Sequence, residues 1–537
     1  MKLRTLMAGG ILMLGAAIDT PTAGAQAMTR SAREMLKATM GTYDKILAEN
    51  PNDYQTLYRR ANGYYRQDSY GQALGDVNKA IEKAPKSETG FLFDAYSLRA
   101  GIYERLAKYD LASADYKRAL EIAPKDYNAR YQLANIQFES GNYAAAKESY
   151  QALKRLNPRS QEALFGLARV AVKEGKDDEA KSLLKQAVDL NPTAAVTYMR
   201  LANVQRLMGN NVDAVDNYTV ALSLDRNMMT PALREMAQVA ATDYPAVMDG
   251  LQKAIDKNPR SGTYYFIRGV IAKTHFHYLP ALKDFNVIVE RNLLNLPSVY
   301  TEMAECYYAL GDYATALEKA DYAIGSSADN RDAYVMKSRI KAAQGAWAAA
   351  IENADKAIEK NADYAPAYVA KALAQEGYKL YPEANVTFSK ALELDNRRPA
   401  YYFDRAYLLK HGLGLPAQAP SFYQDAAKLP FKDDQVISLK GFALLELGDT
   451  VAADAWMDNI TTNVKDSDGE IAYYAACYWA MRGDTDKALK YVEDALKAGY
   501  ANYRNWTEAV NGGVNVGTLR DNQTFKELLA RHSDLFK

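Results

Sequence analysis

Tyr198–Ala221 reads YMRLANVQRLMGNNVDAVDNYTVA, and this stretch decides the fold. A bulky Tyr198 precedes Leu201 and Ala202; Gly209 follows, and then Ala214, Tyr218 and Ala221. Ala214 and Ala221 stand two helical turns apart on one face, where small side chains let a neighbouring helix approach and Tyr218 between them acts as a knob. Gly209 suits the left-handed end of a helix. The stretch therefore predicts helix, tight turn, helix.

The same pattern recurs along the chain. Its small residue is found at Ala73, Ala112, Ala146, Ala180, Ala214, Val247, Ala281, Ala316, Ala350, Ala384, Ala419, Ala453 and Ala488, spaced by 33 to 35 residues apart from one step of 39. That period belongs to stacked helical hairpins and not to a propeller or a closed globule. Pro51, Pro85, Pro124, Pro158, Pro192 and Pro259 close several copies, because proline removes the backbone donor a helix needs to continue.

These residues resemble the tetratricopeptide repeat. A second copy, Tyr96, Ala100, Tyr103, Ala112, Tyr116, Ala119 and Pro124, follows the same pattern, and the resemblance covers about residues 54–497. It implies an all-α fold, an α-α superhelix of about 13 hairpins with capping helices at both ends. The predicted organisation is a signal peptide over 1–27, an N-terminal capping helix over 28–53, and five regular repeats over 54–227. Two degenerate repeats over 228–296 would bend the stack, six more fill 297–497, and 498–537 forms a C-terminal cap like the closing module of many bacterial arrays. His411–Pro416 reads as a loop insertion.

Lys2 and Arg4 precede an apolar stretch and a small-residue run ending at Ala27, the pattern of a secretory leader. The mature chain is thus expected in the periplasm, with peripheral or no membrane association, as a monomer within a larger complex. Lys plus Arg and Asp plus Glu both number 66, interspersed without a basic stripe, so nucleic acid is not an expected partner. Cys306 and Cys477 lie too far apart along a stack to pair. Most of the 40 tyrosines fill repeat slots and serve packing.

No catalytic residue, cofactor or metal site is predicted. Only four histidines occur, and His275 and His277 are expected to point to different sides of a helix. No nucleophile elbow, phosphate-binding loop or zinc motif is present. A hydrolase would require unpaired carboxylates meeting in one deep pocket.

Function is expected on the stripe that first helices turn toward the concave face, at repeat positions two, five, nine, twelve and thirteen. There the candidate partner-binding groove comprises Tyr58, Asn62, Tyr65, Arg66, Tyr131, Asn135, Phe138, Phe165, Arg169, Lys173, Asn203 and Arg206. Carboxamides can bond an extended peptide's backbone, aromatics take its apolar side chains, and cations hold carboxylates. Chaperone-binding members of the family clamp a terminal carboxylate with Lys and Asn on this stripe; here position five carries no Lys. The expected function is a non-enzymatic interaction scaffold of the cell envelope binding a protein or peptide partner, the alternative being a glycan or peptidoglycan binder. Farther along, Val335, Val369, Phe403, Tyr407, Phe442, Leu445 and Tyr473 predict a more apolar groove able to take a partner's helix.

Overall fold

The computed structural model describes residues 30–537 except 68, 397, 429–433 and 509–513, so the predicted leader at 1–27 lies outside the described residues. All regular structure among the described residues is helical, and consecutive helices pair into thirteen hairpins. The chain divides into two compact units, one ending at Met228 and the other running from Met229 to Lys537.

The first unit opens with helix Arg30–Glu49, which stops before Pro51 and packs on the first hairpin. Five hairpins follow, with first helices at Tyr54–Arg66, Thr89–Arg105, Tyr127–Glu139, Gln161–Lys173 and Ala195–Leu207. The extra residues before the second hairpin are absorbed as an additional helical turn, which lays Phe91 edge-on against Tyr54 at 4.7 Å and Tyr58 at 5.5 Å. Turn glycines Gly141, Gly175 and Gly209 have φ of 80°, 71° and 79°, the left-handed region that side chains with a Cβ resist. In the second hairpin Ala107 takes that conformation instead, at φ 54°.

Packing between hairpins follows the small-residue rule. Tyr150 is fully buried with its ring against Gly166 of the next hairpin, where an added Cβ would come within 2.3 Å of the ring. Ala146, Ala180, Ala214 and Ala221 are sealed from solvent. An ion pair also joins the two helices of some hairpins. Arg60 Nε meets Asp76 Oδ2 at 2.6 Å, and Arg99 Nε meets the fully buried Asp115 Oδ2 at 2.6 Å.

The second unit starts on an irregular hairpin. Met229–Lys257 runs as helix on both sides of Asp243, whose φ of −150° and ψ of 67° break it, with no glycine turn. The Asp243 carboxylate accepts from Ala246 N at 3.2 Å and so caps the second half. Seven hairpins follow, with first helices at Gly262–Thr274, Pro297–Ala309, Arg331–Ala343, Ala365–Gly377, Pro399–Tyr407, Asp434–Glu446 and Glu470–Met481. The predicted insertion at His411–Pro416 needs correction: Leu408–Gly412 continues its helix as one wide π turn, and only the residues beyond it form a loop.

This second unit turns back on itself. Phe276, in the turn of the seventh hairpin, packs at a tilt against Tyr500 with 4.4 Å between centroids, and His277 packs against Gly499. Arg504 lies 4.7 Å from the centre of the Tyr308 ring, while the Tyr313 hydroxyl bonds to Glu508. Behind this contact Trp506 is fully buried among Tyr473, Tyr500 and Phe525, and helix Gln523–Arg531 packs on Thr485–Ala498. The C-terminal segment thus packs on the last hairpin and also joins it to the seventh and eighth.

Candidate functional site

The stripe of the first unit resolves into three groups. In the first hairpin Tyr58, Asn62 and Tyr65 are half-buried and Arg66 is exposed. Asn62 bonds the Tyr58 hydroxyl, which burial and the Asp94 carboxylate hold above the usual phenol range.

The second group is a connected cluster over the third and fourth hairpins. The Tyr150 hydroxyl donates to Asn135 Oδ1 at 2.6 Å, so that carboxamide is oriented from beneath by its own hairpin's second helix. Arg169 reaches from the fourth hairpin to Glu139 Oε1 at 2.5 Å and lays its guanidinium 3.9 Å from the centre of the Phe138 ring. Tyr131 lies alongside, half-buried. Phe138 and Phe165, expected as open aromatic contacts, are only 5% exposed. Arg169 roofs Phe138, and Arg200 sits 6.0 Å from the Phe165 ring. Their burial corrects a reading that treated each first helix alone and overlooked cations arriving from the next hairpin. Lys173 projects into solvent at the end of its helix.

The third group repeats the second in part. Tyr218 OH donates to Asn203 Oδ1 at 2.6 Å, with Arg206 half-buried one turn on. The candidates therefore do not form one pocket but a row.

The inner face of the second unit is used differently. Val335, Phe403, Phe442 and Tyr473 are at most 3% exposed. The apolar groove expected there is thus largely filled by the chain itself, although Val369, Tyr407 and Leu445 keep partial exposure. Lys273, itself buried, has Nζ 2.6 Å from Glu302 Oε2 and also pairs with Glu305. Glu376 and Asp404 are carboxyls of successive first helices in this unit, both only partly open to solvent. Burial raises Glu376 to about 7, and burial followed by the Glu376 charge raises Asp404 to about 8. No cation bonds either one among the described residues.

His275 and His277 do not diverge as expected. They cap the two helices that meet in the turn at Phe276, and both rings pack on Tyr244, at 4.9 and 5.1 Å. Among the described residues no group of His, Cys, Asp and Glu is arranged to hold a metal ion, and no helix is long and apolar enough to cross a membrane. Cys306 and Cys477 are buried free thiols in first helices.

Residues 131–195 and 301–366 match one tetratricopeptide-repeat family model, and 93–126 match another. These segments are tetratricopeptide repeats. Among solved structures the chain is similar to yeast Tom70, at 16% identity over 77% of this chain and 97% of that one, with a TM-score of 0.37. It is similar also to a chain of the APC/C Cut9–Hcn1 hetero-tetramer, at 14% identity, 82% and 96% coverage and a TM-score of 0.33. A third is YrrB, a tetratricopeptide-repeat protein described as having an unusual peptide-binding site, at 21% identity, 36% and 96% coverage and a TM-score of 0.27. No curated protein matches the sequence.

Sequence reasoning missed the Arg–Asp pairs inside some of the helical hairpins. Their signal was present as a constant separation of 16 residues, at Arg60 and Asp76, Arg99 and Asp115, and Arg268 and Asp284.

Proposed function

We propose that this chain is a non-enzymatic interaction scaffold of the cell envelope, whose first unit holds an extended segment of a partner protein along the row from Tyr58 to Arg206. One contrast carries this reading. The stripe of the second unit is largely consumed by its own packing, whereas Tyr58, Asn62, Tyr65, Tyr131, Asn135 and Arg169 in the first stay half-open. A row of oriented carboxamides alternating with rings and cations suits a peptide backbone and its side chains. A glycan surface needs open ring faces, and those of Phe138 and Phe165 are covered, which favours the peptide.

The test is cross-linked capture from envelope extract by the purified chain and by the triple variant Asn62→Ala, Asn135→Ala, Arg169→Ala. The variant should lose its partner while keeping its helical content, and equal recovery by both chains would refute the groove. Retention on purified cell wall would turn the reading toward the glycan. The envelope assignment rests on residues 1–27; a mature chain in the periplasmic fraction beginning at Met28 would support it, and an unprocessed cytoplasmic chain would overturn it.

A further inference from the structure

Position nine of the third, fourth and fifth hairpins carries Asn135, Arg169 and Asn203, and the bonds beneath these side chains decide which of their atoms face outward. Tyr150 is fully buried, and its hydroxyl proton has one acceptor among the described residues, Asn135 Oδ1 at 2.6 Å. Turning that carboxamide over would leave a buried hydroxyl proton without an acceptor. The oxygen is therefore held inward, and the Nδ2 amino group is left for the groove. Asn203 repeats the arrangement, with Oδ1 2.6 Å from the Tyr218 hydroxyl. Neither amino group donates a hydrogen bond within the chain among the described residues. Between them, the Arg169 guanidinium uses Nη2 on Glu139 and has further N–H donors. Position nine thus offers donors in all three hairpins and turns no acceptor outward.

Charge on the stripe points the same way. Over these hairpins it carries Arg169, Lys173 and Arg206 against Glu139 and Glu162. Glu162 is held by Arg200 at 3.1 Å. Lys173, exposed one turn beyond Arg169, forms no ion pair among the described residues. The first two hairpins are balanced, with Arg66 and Arg105 against Asp94 and Glu104. Glu139 is the carboxylate that already answers the row. Its side chain is 54% exposed and that of Arg169 26%, so Glu139 can swing into water while Arg169 stays over Phe138.

We propose that the third to fifth hairpins select an acidic stretch of the bound segment, whose Asp or Glu side chains accept from Asn135, Arg169 and Asn203. One partner carboxylate replaces Glu139 on Arg169, and Lys173 adds attraction from the rim. The three first helices pack in succession, and neighbouring helices stand about 8–10 Å apart. An extended polyproline-II segment rises about 3.1 Å per residue and returns to one face every third residue, so acids three apart match the row. This rests on the groove reading above and specifies what one part of the groove selects.

The test uses end-blocked nonapeptide pools, which carry no terminal carboxylate, with Glu, Gln or Lys fixed at three positions three residues apart and uncharged residues elsewhere. Each is titrated against the full chain by fluorescence anisotropy. The Glu pool should bind on the order of tenfold more tightly than the Gln pool, and added salt should narrow the gap. Arg169→Gln should bring the Glu pool to the Gln level. Lys173→Gln leaves the packing over Phe138 intact, should weaken the Glu pool about threefold, and keeps the test open if the first variant misfolds. Glu139→Gln removes the internal competitor and should tighten binding of the Glu pool alone. Equal binding of the Glu and Gln pools, a preference for Lys, a Glu preference untouched by both cation variants, or no gain from Glu139→Gln overturns the selection while leaving the groove. Binding of no pool refutes the groove, and the selection with it.

Discussion

His275 Nδ1 lies 3.0 Å from Asp468 Oδ2, which ties the turn of the seventh hairpin to the loop leading into the thirteenth. Both side chains are buried, at 7% and 3% exposure. Asp468 has a second task, since its other oxygen accepts from Glu470 N at 3.3 Å where helix Glu470–Met481 begins.

Replacing Asp468 by Ala should therefore loosen the place where the second unit meets itself. A cost of about 1–3 kcal/mol is expected for leaving buried polar groups unpaired. Hydrogen exchange should accelerate at residues 499–508 and 275–278 while the hairpins of the first unit keep their protection. Unchanged exchange in both segments would show that the bond does not hold the closure.

Glu376 and Asp404 give stability a definite pH dependence. In the folded chain Asp404 binds its proton up to about pH 8 and Glu376 to about 7. In the unfolded chain both release it near pH 4, roughly. The folded state then binds more protons between these limits, so this contribution falls as pH rises from about 4 to 8. Asp404→Asn should match the parent in acid and exceed it by a growing margin as the pH rises from about 4 to 8. Parallel melting profiles for the two chains across that range would contradict the assignment.

Lys379 has φ of 64° at the turn where seven other hairpins carry glycine, and its side chain is exposed. Lys379→Gly should raise stability by about 1 kcal/mol, because the left-handed conformation no longer opposes a Cβ. Ala107→Gly, in the other unit, should act alike and independently. Urea midpoints of the two single variants and their combination check this; a lowered midpoint for either would argue against strain at that turn.

Asp115 has no exposed surface and receives Arg99 through Nε at 2.6 Å and Nη2 at 2.8 Å, with Arg118 at 2.6 Å. Asp115→Ala strands the partly buried Arg99 and should cost about 3 kcal/mol. Paired replacement of Arg99 and Asp115 by Met and Leu should recover much of that loss. If the single change proves neutral, the pair is a surface ornament and not a joint between helices.

The hairpins were legible because each is set by local marks: small residues seven apart, glycine at the turn, proline at the exit. Ala214, Gly209 and Pro192 each act within one helical turn of where they stand. The meeting of Phe276 with Tyr500 was not legible, since no periodic mark connects residues so far apart and the path between them depends on seven successive packing angles. His275 and His277 were misread for a simpler reason. A helical spacing rule was applied to residues that flank a turn, where Phe276 at φ 61° swings both rings toward Tyr244. In the candidate groove, residue types at each position were readable from the repeat, but which rings remain open depends on the neighbouring hairpin, as Arg169 over Phe138 illustrates.

An array with free ends can gain or lose a copy and still stack, so duplication and deletion are cheap for it. Between the seventh hairpin and the C-terminal module that freedom is gone. Removing one 34-residue copy there would carry Tyr500 and Arg504 away from Phe276 and Tyr308, so copy number in this stretch is pinned in evolution by geometry, as the strand count is in a barrel.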